Sequence, residues 1–301
     1  MTMKKSLAMV TSVALLSACA PSPQKPDVQP SKPTAAEQDY PNWPATLDNF
    51  RFQWSAEPGI DLSTGPGVLI RAYLESYSVA TYTFNLDNSY PGFLRATPHN
   101  ADSNDPGSLI QLTGVRPLGD GYTMTPKDAR PRYGFVPNHV LEIAPLGDGY
   151  EATVCTAEYA SFIESTTKPG HFVSVAADDK TGKPLDSGPA AGVYVKRLDF
   201  TQHDPAVGLT PPQPPSTPQI GPAPAPSGDV FGNWFVTASS VKFWGPVGQP
   251  DQPLFPTPEL QQRCADSMPQ NEAERTEMMT GYKDAPPPHG DAIPGWPAES
   301  K

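Results

Sequence analysis

The chain has 301 residues, among them 40 Pro and 24 Gly, and its formal net charge is −11 from 21 basic and 32 acidic side chains. That Pro and Gly content lies between a compact domain and a low-complexity chain, so one folded domain flanked by Pro-rich segments is expected. No basic run is longer than Lys4-Lys5 or Lys196-Arg197, which excludes the clustered positive surface that nucleic acid or anionic headgroups require.

Lys4 and Lys5 precede an apolar run from Ser6 to Leu16 that ends in Leu16-Ser17-Ala18-Cys19. The run is too short to span a bilayer as a helix and fits an export signal. Its end resembles the bacterial lipobox, in which small residues fit the peptidase and the thiol accepts a diacylglyceryl group as a thioether. Residues 1–18 are therefore read as a lipoprotein signal peptide and Cys19 as the lipidated residue. Two acyl chains on one residue anchor a protein stably. The expected location is the outer face of the cytoplasmic membrane, in the cell envelope, with the bilayer itself as a partner through Cys19.

Residues 19–44 are Pro-rich and weakly apolar, which predicts a disordered tether. Order is expected to begin between Trp43 and Trp54. Pro66 sits near the start of a run in which Val68, Leu69, Ala72, Tyr73, Tyr77 and Ala80 recur at spacings of three and four. This predicts a helix over 66–84, with its tyrosines in the core and Arg71 and Glu75 as an i,i+4 pair on its surface side.

The hexapeptide Pro-Leu-Gly-Asp-Gly-Tyr occurs at 117–122 and again at 145–150. Both copies are read as tight hairpin turns, since Gly-Asp-Gly supplies positive φ angles. A single Asp in each does not furnish a calcium loop. Strands are predicted over 139–143, 150–162, 193–200 and 233–243. The loop 205–228 is Pro-rich and expected to be exposed and mobile. These elements make up an α+β domain over 45–245. Residues 246–285 form an extension with short helices at 258–267 and 271–281, and 286–301 are expected to be a disordered tail.

Besides Cys19 the chain has Cys155 and Cys264. In an exported protein the two are expected to form one disulfide, the alternative being two buried thiols. Closing so long a loop stabilises by about 4–5 kcal/mol at most in the loop-entropy account.

The single helix, the Tyr-Pro-Gly-Phe turn at 90–93, the Gly-Asp-Gly-Tyr-Glu-Ala-Thr-Val-Cys run ending at Cys155 and the Gly-Asn-Trp-Phe-Val run at 232–236 carry a resemblance. The chain resembles actinobacterial lipoproteins of the mycobacterial type and the cystatin-like α+β cone shared with nuclear transport factor 2-like domains. The resemblance covers about 45–245. It implies an N-terminal helix packed on a curved antiparallel sheet, often with a pocket between them. The 205–226 insertion departs from the short connection usual in that fold.

His99, His139, His171, His203 and His289 lie far apart at no metal-ligand spacing and are read as loop or surface residues. Asp102 with Asp105, and Asp178 with Asp179, are carboxylate pairs in Gly/Pro-rich loops, where the shielding that general acid–base work needs is absent. No nucleophile elbow, phosphate loop or dinucleotide signature occurs. No catalytic residue, metal ligand or cofactor is assigned. The leading expectation is a non-catalytic envelope lipoprotein binding a partner or a small apolar ligand. The alternatives are a hydrolase or isomerase with a cone-shaped pocket, or a purely structural role.

Overall fold

The computed structural model describes residues 40–119, 121–203, 213–241, 243–247 and 256–298. The signal peptide, Cys19 and most of the tether lie outside the described residues, as does 205–212 of the Pro-rich loop.

The body is α+β, with a curled sheet forming a half-barrel around one long helix. In chain order the elements are β1 (Asn49–Ala56), α1 (Gly65–Thr83), β2 (Arg132–Leu146), β3 (Gly149–Ala157), β4 (Ser161–Glu164), β5 (Phe172–Ser174), β6 (Val193–Thr201), β7 (Phe235–Ser240), α2 (Pro258–Asp266) and α3 (Glu272–Met279). The antiparallel path runs β5-β4-β2-β3-β6-β7, and β1 joins β2 in parallel. The expected sheet was antiparallel throughout; the parallel β1 is a departure from it. Asn138 pairs with Trp54 of β1 and with Thr156 of β3, so β1 and β3 flank β2. Farther down β2, β4 takes the place of β3 beside Arg132, Tyr133 and Gly134. Gly134 allows this branching: its φ is +80°, and a Cβ there would lie 2.2 Å from the Ala160 carbonyl oxygen.

The second hexapeptide copy is the hairpin the sequence predicts. Leu146 pairs with Gly149 across a two-residue turn in which Gly147 has φ +59°. The first copy is not a hairpin. No described residue between 113 and 131 belongs to a strand. Gly114 and Pro126 interrupt its flanks, whereas Val140 to Ile143 and Ala152 to Val154 flank the second copy with β-formers.

The inner face of the sheet packs Phe50, Phe52, Trp54, Val140, Val154 and Leu198 against α1. The outer face carries Leu141, Cys155 and Val195, covered by Cys264, Met268 and Met279. Cys155 and Cys264 form a disulfide, with Cα atoms 5.2 Å apart. The Thr257 hydroxyl caps α2 by accepting from Leu260 N–H, and Asn271 and Glu274 form a capping box on α3.

Helix α1 is buried on nearly every side, and this corrects two expectations. Arg71 and Glu75 are not on a surface: their relative exposures are 0% and 2%. The 286–298 part of the predicted disordered tail is packed, with Trp296 only 1% exposed. Trp296 N–H donates to the Ala223 carbonyl, and Ala223 N–H donates back to the Trp296 carbonyl. Within the described part of the 205–228 loop, Ala223 and Ala225 are thereby buried in the core. Two segments that lack periodicity of their own gain order by pairing with each other over the helix.

Candidate functional site

Three polar clusters concentrate the chemistry of the body. The first is internal. Glu75 accepts hydrogen bonds from Trp54 Nε1 at 2.8 Å, from the Tyr90 hydroxyl at 2.8 Å and from Trp296 Nε1 at 2.7 Å. Arg71 Nε lies 3.9 Å from Glu75 Oε1. The Arg71 guanidinium donates to the carbonyls of Leu62, Gln219, Pro294 and Gly295 and stacks 4.1 Å from the Trp296 ring. Burial pushes the Glu75 carboxyl up, against the pull of Arg71 and the three donors. The neighbouring hollow, lined by Ser63, Val68, Pro214, Gln219 and Trp234, measures about 20 Å³, room for one water. This cluster is a clasp that fixes the 213–228 and 286–298 segments to α1.

The second cluster opens to solvent at the rim of the half-barrel. Alternation along β6 places Tyr194, Lys196 and Leu198 on the inner face, because Val154, across from Lys196, packs inward. The Lys196 ammonium stands 4.5 Å from the Tyr77 ring on α1. The Tyr82 hydroxyl, one turn farther on, donates to Glu158 Oε1 at 3.3 Å. The Arg132 guanidinium covers the Tyr82 ring at 3.6 Å. Lys196 is half-buried, and among the described residues no carboxylate lies within ion-pair distance of it. Burial pushes its amine down to about 8, against the opposing pull of Glu158. Burial raises the Tyr77, Tyr82 and Tyr194 hydroxyls, so they stay protonated at neutral pH. Nearby, Tyr122 packs on Phe84 at the end of α1, ring centroids 5.9 Å apart.

The third cluster lies on the outer face. The parallel register sets Ser55 beside His139. Ser55 Oγ is 2.8 Å from His139 Nδ1, and Glu57 Oε1 is 3.6 Å from Nε2. A hydroxyl, an imidazole and a carboxylate thus stand in line. His139 lies on β2, within the strand predicted over 139–143, but it is buried, only 9% exposed, where the sequence reads it as a loop or surface residue.

The carboxylate pairs serve turns. Asp102 accepts from Asn104 N–H and Asp105 from Gly107 N–H. Asp179 accepts from Ser165 and Thr166, whose hydrogen bonds outweigh the effect of burial and hold its carboxyl below the usual range. His171 and His203 sit near Asp284 and Asp148 at exposed positions. A depression of about 750 Å³ along α3 is an open groove, and the Lys283 ammonium that lines it is already bonded to the carbonyls of Glu277 and Thr280.

The sequence names Tyr77 as a core position of the helix and Lys196 within a short basic run, and assigns a binding role to none of the mouth residues. The available signal was Lys196 standing between Tyr194 and Leu198 on an inward-facing register, visible once the strand was paired. No family model, no curated protein and no solved structure matches this chain.

Proposed function

We propose that the chain is a lipid-anchored protein of the cell envelope, held at the outer face of the cytoplasmic membrane through Cys19, and that its body is a non-catalytic binding module working through the mouth around Lys196. The anchor reading rests on Leu16-Ser17-Ala18-Cys19 after a short apolar run. The binding reading is carried by one observation: an ammonium stacked on Tyr77, half-shielded from water, with no counterion within ion-pair distance among the described residues. A half-buried charge without a partner is costly to keep, and a ligand supplies what is missing. A strongly shifted amine beside an exposed aromatic, here Tyr194, marks a candidate functional surface.

The curled sheet around α1 supports the cystatin-like cone reading and, with the lipobox, kinship with mycobacterial-type lipoproteins. The space between helix and sheet is filled by side chains such as Tyr73, Phe93 and Phe231. This packing supports recognition at the rim rather than in the interior pocket such cones often hold.

A membrane-impermeant acylating reagent tests this reading on intact cells. Lys196 should be acylated more slowly in cells than in the purified mature chain, while exposed Lys127 and Lys183 react equally in both. Equal Lys196 rates in the two settings would count against an occupied mouth.

A second reading, a hydrolase, is favoured by the Ser55–His139–Glu57 alignment. A fluorophosphonate probe should then label Ser55 in the wild type and not in His139→Ala. Absence of labelling in both removes it.

A further inference from the structure

We propose that the mouth takes a hydroxylated, ring-bearing carboxylate, with its carboxylate on Lys196, its ring against Tyr194 and a hydroxyl donating to Glu158. This rests on the reading of the mouth as a binding site and adds the chemical class of the ligand.

Each part answers to a specific feature. The Lys196 ammonium has three donors and, among the described residues, no acceptor within hydrogen-bond or ion-pair distance. It stands over the Tyr77 ring, 4.5 Å from the centroid. A carboxylate is the partner such a group binds most strongly. Glu158 accepts from the Tyr82 hydroxyl through Oε1, and among the described residues no group donates to its Oε2. A bare anion would meet repulsion from Glu158, whereas a hydroxyl-bearing one turns that carboxylate into a hydrogen-bond acceptor. Tyr194 is 38% exposed on the same inner-facing row as Lys196, and an exposed aromatic face accepts a flat ring or the apolar face of a sugar. Arg132 is occupied, being stacked on Tyr82 and donating to Ser161 Oγ at 3.1 Å. That leaves Lys196 as the cation for the ligand. The shared chemistry is that of uronic acids and of phenolic acids.

The test titrates the full mature chain, in detergent micelles, with glucuronate and with 4-hydroxybenzoate, and with glucose and phenol as their uncharged counterparts. Binding is followed by calorimetry and by the ring resonances of labelled tyrosine. At least one of the two acids should bind tenfold or more tightly than its counterpart and shift the Tyr77 and Tyr194 rings. Lys196→Met should weaken that acid at least tenfold. Glu158→Gln should weaken 4-hydroxybenzoate while leaving benzoate unchanged, should the phenolic acid be the one that binds. Counterparts that bind as tightly as the acids, unaltered binding in Lys196→Met, or no binding of either acid would each overturn the ligand class. The mouth reading itself stands or falls separately, on whether Lys196 is shielded in cells. A circular dichroism spectrum unchanged in Lys196→Met shows that any loss is not a loss of fold.

Discussion

Trp296 Nε1 donates to Glu75 Oε2 at 2.7 Å, across 221 residues of chain. The bond joins the C-terminal segment to the central helix inside the core. Trp296→Ala removes a buried indole and leaves one donor fewer on a buried carboxylate, so it should cost about 3–5 kcal/mol. Trp296→Phe keeps most of the ring and loses the N–H, at a cost of about 1–3 kcal/mol. Urea denaturation measures both. Midpoints equal to wild type would return the segment to the disordered tail that its composition suggests.

Glu75→Ala should be as severe as Trp296→Ala, for a different reason. It leaves Arg71 charged, buried and without its counterion, which costs about 3–5 kcal/mol. A milder loss would mean that the four carbonyls around the guanidinium stabilise it without Glu75.

The disulfide closes a loop with a sequence separation of 109 and ties α2 to β3. Reduction should lower stability by up to about 4–5 kcal/mol while leaving the inner core folded, because that core holds neither cysteine. Peptide mapping without reductant should give one linked Cys155–Cys264 peptide. Full alkylation of both thiols before reduction would contradict it.

Lys196 should titrate near 8, well below its ordinary 10.5. Between these values the unfolded chain holds a proton that the folded chain has released, so this residue makes stability rise with pH across that window. Below about 8 both states are protonated, and the folded state bears the cost of shielding the charge. Lys196→Met should therefore stabilise the protein at neutral pH by about 0.5–2 kcal/mol and flatten the rise. The pH profile of Lys196 acetylation, read by mass spectrometry, should have its midpoint near 8, with Lys127 serving as an exposed reference. A Lys196→Met protein that melts lower than wild type would contradict the account.

Cys19→Ala should abolish lipidation. The variant should remain unprocessed or leave the membrane fraction, and its mass should lack the acyl chains. Fractionation and mass identical to wild type would refute the anchor.

Elements with their own local signal were legible in the sequence. The bounds of α1 follow from Pro66 and the three-and-four spacing, and the short helices expected over 258–267 and 271–281 match α2 and α3 to within two residues at each end. The β2–β3 turn follows from Gly-Asp-Gly between β-formers, and the disulfide from counting cysteines. What depended on distant partners was not legible. The strand β1 is parallel to a partner more than eighty residues on, and no turn announces it. Arg71 and Glu75 lie on the side of the helix that periodicity reads as outward, and periodicity is silent about what covers that side. Trp296 sits among prolines and glycines whose order comes from Ala223 and Gly221 across the core. The mouth shares this difficulty: Lys196, Tyr77 and Arg132 come from three elements and Glu158 from the β3–β4 connection, and only the curl of the sheet brings them together.

The most direct test of the central claim is a crystal structure of the mature protein purified from its own membrane. The account predicts non-protein density at the rim, within hydrogen-bonding distance of Lys196 Nζ and lying against the Tyr194 ring. A Lys196 ammonium ion-paired to a carboxylate of its own chain, with the Tyr122 loop closed over it, would contradict the claim.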